Sequence, residues 1–165
     1  MIIKIMRKIY LLCRIYKLIA FINTKRRNGV SKPYEPVYIP TDIPLPSDKN
    51  FLDEIRDFLV GIIKMSKGNT FILFTSYSTL NYTYYLIRDE LENLGFDLFI
   101  QGMAPRNQLI NMYKASNMPV LFGTDSFWEG VDVQGEKLSS VILVKLPFKV
   151  PSDPVVEAII ENMDK

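Results

Sequence analysis

Three carboxylates fall within eight residues in the run Gly123-Thr124-Asp125-Ser126-Phe127-Trp128-Glu129-Gly130-Val131-Asp132. Gly123 opens the run and Gly130 lies between its last two carboxylates, and glycine lets backbone approach a ligand or turn with positive φ. A carboxylate in such a loop can accept hydrogen bonds from an arginine, a ribose hydroxyl or a bound water. The same residues can also form a plain turn, with Asp125 capping a short helical turn that Ser126 begins. Trp128 then serves as a core or interdomain anchor. A second run, Thr75-Ser76-Tyr77-Ser78, sets four hydroxyls and free backbone amides at the start of a helix. That suits an anion such as phosphate. It also suits helix capping, which these four residues taken alone favour. A third stretch, Lys145-Leu146-Pro147-Phe148 followed by Pro151-Ser152-Asp153-Pro154, is a stiff exit set by prolines. Lys145 there is placed for a phosphate contact or simply for solvent.

Several chemistries are excluded by what the chain lacks. It has no histidine, so the commonest general base and the commonest metal ligand are missing. Its one cysteine, Cys13, cannot build a disulfide framework or a cysteine-ligated metal or iron–sulfur site within the chain. Chemistry must rest on carboxylates, hydroxyls, backbone amides, Lys and Arg. The sparse cysteine usage suits a reducing cytoplasm.

The net charge of +2 conceals two halves of opposite sign. Residues 1–32 carry nine basic side chains and no acidic one. Residues 33–165 carry eleven basic against eighteen acidic side chains, a net of −7. A module that gripped nucleic acid alone by neutralising phosphates would be basic, so the body argues against that use.

The elements that must position these loops follow from periodicity. Met1 to Ile22 reads as a basic amphipathic helix, with Lys4, Arg7, Lys8, Arg14 and Lys17 on roughly one half. Its uncharged stretches are too short to span a bilayer, and a membrane-surface role is not expected. Residues 33–50 read as a proline-rich linker, with Val37-Tyr38-Ile39 as a short strand inside it. A single helix is expected from about Asn50 to Lys67, with Leu52, Ile55, Leu59 and Ile62 on one face and Gly68 as its stop. Phe71 to Phe74 is a continuous apolar run, as in a parallel strand covered on both faces. A second helix is expected from about Ser78 to Leu94, with a stripe of Leu80, Tyr84, Ile87, Leu91 and Leu94, closed by Gly95. Phe96 to Ile100 reads as the next strand. Pro105 reads as the first residue of a helix that turns Leu109, Met112 and Tyr113 inward. Val120 to Phe122 and Val141 to Val144 read as two more strands, and Pro154 as the start of a last helix. Alternating strands and helices predict an α/β fold, a mostly parallel sheet with helices on both faces. With 48% apolar residues and 165 in all, a single domain with a real core is expected. In such sheets ligands gather beyond the carboxyl ends of the strands, so the loops after Phe74, Ile100, Phe122 and Val144 are the candidates.

The three passages also carry a family resemblance. Gly68-Asn69-Thr70-Phe71-Ile72-Leu73-Phe74-Thr75-Ser76-Tyr77 resembles motif IV of the C-terminal motor domain of DinG- and XPD-like DNA helicases. Phe122 to Asp132 resembles motif V of that domain. Lys145 to Phe148 with Pro151 to Pro154 resembles the strand exit that follows. Tyr38-Ile39-Pro40-Thr41-Asp42-Ile43-Pro44 resembles the entry into the domain. The resemblance implies a RecA-like domain over residues 51–165, paired in the whole enzyme with another of the same kind. It implies that ATP binds between the two and that single-stranded DNA crosses both. Thr75, Ser76 and Tyr77 are then expected to touch DNA, with Gln101 and Thr124 on the same rim. Asp125, Glu129, Gly130 and Asp132 are expected to link the nucleotide cleft to the DNA track. A DNA-repair setting is implied in the same way.

The chain departs from that pattern in four ways. It has no Gly-x-x-x-x-Gly-Lys-Ser/Thr phosphate loop, no strand-end Asp-Glu pair for Mg²⁺ and no four-cysteine cluster set, and residues 1–32 match nothing in the family. A Gln…Gly-Arg…Arg stretch, source of an arginine finger worth roughly 10³–10⁵ in rate in related chemistry, is expected beyond residue 165. The expectation is therefore a helicase half-motor, a partial domain that binds ATP and Mg²⁺ only in a complete enzyme and is inactive alone. The first RecA-like domain of the helicase is its implied partner. Two alternatives stay open: a non-catalytic nucleic-acid-binding module, and a gene remnant without function. A sheet left open beyond Val144 would expose apolar edge and favour poor solubility or dimerisation.

Overall fold

In the computed structural model the described residues are 20–23, 37–38, 40, 43–45, 47–124, 127 and 138–145. Among the described residues ten elements run in chain order: β1 (Ala20–Asn23), β2 (Val37–Tyr38), α1 (Phe51–Glu54), α2 (Arg56–Ser66), β3 (Thr70–Leu73), α3 (Tyr77–Asn93), β4 (Asp97–Ile100), α4 (Arg106–Ala115), β5 (Pro119–Gly123) and β6 (Ser140–Leu143). They build one six-stranded sheet in the order β2-β1-β6-β3-β5-β4. The four strands β6, β3, β5 and β4 are all parallel, in register Thr70 with Val120 and Ser140 on either side, and Leu98 with Val120. This parallel sheet with its helices is the α/β, RecA-like arrangement that the resemblance implies.

The strands sort their side chains by simple alternation. Phe71, Leu73, Phe99, Leu121, Val141 and Leu143 point to one face, where they meet Leu109 and Tyr113 of α4. Ile72, Phe74, Val120, Phe122, Ile142 and Val144 point to the other, against α1, α2 and α3. Both faces are covered, so β3, β5 and β6 are buried at every position. That double burial is why these strands read as unbroken apolar runs. The chain passes from β3 to β4 through α3 on one face, then steps back from β4 to β5 through α4 on the other. Reversing both direction and face keeps the crossover hand constant, as parallel connections require.

Local differences from expectation have local causes. The single helix expected over 50–67 is two, α1 and α2, because Ile55 relaxes to ψ −4°. The Ile55 N–H still donates to Phe51 O and the Leu59 N–H to Ile55 O, so the axis is barely interrupted. Leu94 is 45% exposed because α3 ends at Asn93, which takes Leu94 off the stripe. Met112 is 37% exposed, on the flank of the face that Leu109 and Tyr113 bury. Pro105 precedes α4 as its cap: its ψ of 143° is extended, and its carbonyl accepts the first helical bond, from the Leu109 N–H. The helix expected up to Ile22 does not reach Ala20, because residues 20–23 are a strand paired antiparallel to β6. All four residues of β6 pair with it, from Ala20 with Leu143 to Asn23 with Ser140. The edge expected to lie open beyond the fourth parallel strand is therefore taken. β2 then adds Tyr38 and Val37 outside Phe21 and Ile22. The helix expected from Pro154 and residues 1–19 lie outside the described residues.

The turn from α2 into β3 is tightly specified. Lys67, Gly68 and Asn69 all have positive φ, at 55°, 74° and 52°. A Cβ on Gly68 would sit 2.6 Å from the Met118 carbonyl carbon, in backbone that cannot swing away. Gly68→Ala is therefore expected to cost at least about 2 kcal/mol, from left-handed strain and collision together. A urea midpoint equal to that of the unsubstituted chain would contradict this. Among the described residues Tyr113 is the largest fully buried side chain, and its hydroxyl has no hydrogen-bond partner there. Burial holds its phenol well above the usual tyrosine range. The folded state keeps this proton when the unfolded chain releases it. Stability is thus intact below about pH 10 and falls as pH rises beyond it. Tyr113→Phe should leave stability unchanged or raise it by up to about 1 kcal/mol, and should flatten that alkaline decline. Thermal melts at neutral pH and near pH 11 read both effects.

Candidate nucleic-acid interface

The carboxyl ends of β3, β4 and β5 bring three separate loops to one rim. β3 delivers Phe74, whose N–H donates to Gly123 O at 2.9 Å, and the chain then enters Thr75-Ser76-Tyr77. Ser76 has φ −150° and ψ 151° and caps α3, its Oγ accepting from the Thr79 N–H at 3.3 Å. Its Oγ also lies 2.9 Å from Thr79 Oγ1 and 3.1 Å from Ser78 Oγ. The capping reading of this run thus holds for Ser76. The anion reading is left to Ser78, which is exposed, and to the first amides of a 17-residue helix.

Gln101 follows β4 directly. Its N–H donates to Phe122 O at 2.9 Å, which ties the residue to β5. Its side-chain Oε1 accepts from the Thr124 N–H at 2.6 Å and from Thr124 Oγ1 at 3.0 Å. Because a backbone N–H can only donate, the oxygen must face Thr124 and the amide nitrogen must face away. That nitrogen, Nε2, donates to the Tyr77 hydroxyl at 2.5 Å. Tyr77 is 53% exposed, with its ring on the outside of the rim. Thr124 is buried, and its carbonyl accepts from the Phe127 N–H at 2.8 Å. Phe127 is itself buried against Gly123, where a Cβ would lie 3.0 Å from its ring. The Arg106 guanidinium, at the start of α4, lies 5.6 Å from the Phe127 ring centroid.

Of the residues singled out by sequence, Ser76, Tyr77, Gln101 and Thr124 therefore gather at one rim, with Thr75 beside them. Asp125, Glu129, Gly130 and Asp132, and also Ser126 and Trp128, lie outside the described residues. Lys145 is exposed at the tip of β6. Sequence reasoning missed Phe127 as a core anchor and Arg106 as its companion. Nor could it see the Gln101 bonds, which join residues 23 and 24 positions apart. Among the described residues no three His, Cys, Asp or Glu side chains gather to hold a metal ion. The groups that the rim presents are hydroxyls, amides and an exposed ring. No helix among the described residues is long and apolar enough to cross a membrane.

Comparison with known proteins agrees with the fold. Residues 59–165 match the model of the helicase C-terminal domain. The chain is 35% identical over 124 residues to the ATP-dependent DNA helicase YoaA of Haemophilus influenzae, covering 75% of this chain and 19% of that protein. It is 35% identical over 133 residues to the ATP-dependent DNA helicase DinG of Photobacterium profundum, covering 74% and 19%. It is 31% identical over 107 residues to the 3'-5' exonuclease DinG of Bacillus subtilis, covering 64% and 12%. The chain thus spans a fifth or less of the length of these relatives. On this match, and on the parallel sheet that underlies it, the chain belongs to the helicase C-terminal domain family, in the form found in DinG- and YoaA-type proteins.

Proposed function

We propose that the chain supplies the second motor domain of an ATP-dependent DNA helicase, and that its rim at the ends of β3, β4 and β5 faces single-stranded DNA. The joining of Tyr77, Gln101 and Thr124 at that rim carries the reading. An exposed ring offers a stacking platform that tolerates any base. The Ser78 hydroxyl and the first amides of α3 offer donors to a phosphate. Relatives named as DNA helicases make DNA the natural partner, and the cytoplasm the natural setting.

ATP and its magnesium bind, on this reading, in a cleft formed with another RecA-like domain. The chain has no phosphate loop, so the partner must provide it. Asp125, Glu129, Gly130 and Asp132 then link that cleft to the DNA rim. Phosphoryl transfer depends on positioning and charge stabilisation that arise only when the parts meet. The acidic body, net −7 over residues 33–165, disfavours a self-sufficient nucleic-acid-binding module.

Two measurements test this. A labelled oligothymidylate titrated into the chain should bind weakly and in a salt-sensitive way, and Tyr77→Ala should weaken binding by about tenfold. Equal affinity in that variant would remove the rim from the reading. Phosphate release from ATP, with DNA present, should not exceed that of a chain carrying Glu129→Gln and Asp132→Ala. Turnover by the unsubstituted chain above that control would show that it needs no partner.

A further inference from the structure

We infer that Gln101 is a positioning residue which holds the DNA-facing start of α3 and the turn after β5 in one fixed relation. The inference rests on the proposed DNA rim for its purpose, but its geometry stands apart from it. Both ends of the Gln101 amide are engaged. Oε1 takes the Thr124 N–H and hydroxyl, and Nε2 holds the Tyr77 hydroxyl. Its backbone N–H is fixed to Phe122 O, so the side chain springs from an anchored base. A side chain committed in this way is poorly placed to read a base. It is well placed to register where Tyr77 sits.

The far end of the link is equally defined. Thr124 O accepts the Phe127 N–H, and the Phe127 ring is packed in the core beneath the rim. Tyr77, Gln101, Thr124 and Phe127 thus form a continuous chain of hydrogen bonds from an exposed ring to a buried one. A base stacking on Tyr77 would pull on the turn that opens the motif V run. Coupling of this kind travels through contiguous bonded groups that have a defined arrangement. The Thr124–Gln101 bonds are part-buried and resist loosening more than the exposed Gln101–Tyr77 bond, so the link is firmest at its inner end.

Backbone amide exchange of the full chain tests the link without nucleotide. Gln101→Leu should speed exchange at Thr124 and Phe127 by about tenfold, and Tyr77→Phe by about threefold, while β3 and β5 amides keep their rates. Gln101→Glu should restore slow exchange, because its carboxylate accepts from Thr124 and the Tyr77 O–H can turn to donate to it. A Tyr77→Phe chain with unchanged rates at both amides would overturn the inference. So would a Gln101→Leu chain in which every core amide speeds up alike. In a second arm, saturating oligothymidylate should slow exchange at Thr124 and Phe127 in the unsubstituted chain but not in Gln101→Leu; an equal response in both also overturns it. If the unsubstituted chain binds no oligothymidylate, the DNA reading falls, while the first arm still decides the link.

Discussion

A parallel strand buried on both faces has nowhere to display function except its ends. β3, β5 and β6 are in this position, with a helix layer against each side of the sheet. Their side chains are spent on packing, and their backbone groups are spent on each other. What remains is the set of loops at one end, where residues far apart in sequence arrive within hydrogen-bond reach. Tyr77, Gln101 and Thr124 meet there because three strands of matched register deliver them to one level. Even the tight turn at the opposite end serves this constraint. Gly68 lets α2 pass directly into β3 with the Met118 backbone pressed against it, which fixes the level at which β3 begins.

Much of this was legible in the sequence. The apolar runs at 71–74, 120–122 and 141–144 announced double burial, and strands lie at each. Gly95 stops α3 with φ +84°, as the helix pattern implied. The family resemblance at Gly68–Tyr77 and Phe122–Asp132 pointed to the matched domain. Other features were illegible for physical reasons. Ile55 carries an ordinary apolar identity and gives no sign of its relaxed backbone. Met112 and Leu94 fit a helical stripe, but a stripe does not say how wide the covering layer is. Ala20–Asn23 sits at the end of a run that a helix would also accept, and only pairing with β6 selects the strand. Phe127 sits in an acidic loop where its neighbours draw attention, yet its own side chain is buried.

Charge and packing divide the labour on the surface. Glu90 on α3 takes Arg56 at 2.6 Å and Lys64 at 2.9 Å, both from α2. The Lys64 hydrogen bond, and after it that of Arg56, hold its carboxyl below the usual range. The tie lies on the helix surface, and as a solvent-facing pair it adds little stability. Its use is alignment, since α3 begins at the rim and any roll of that helix would move Tyr77.

The antiparallel closure of the sheet also orders events in time. Phe21 pairs with Ile142, so one ladder joins nearly the first described residue to nearly the last. β3, β4 and β5 can register on one another through short crossovers. The β1–β6 ladder must wait until more than a hundred residues of chain exist and have been drawn together. Contacts of such span are slow to form. On a ribosome, the outer seam of this sheet is therefore the last part of it to be sewn.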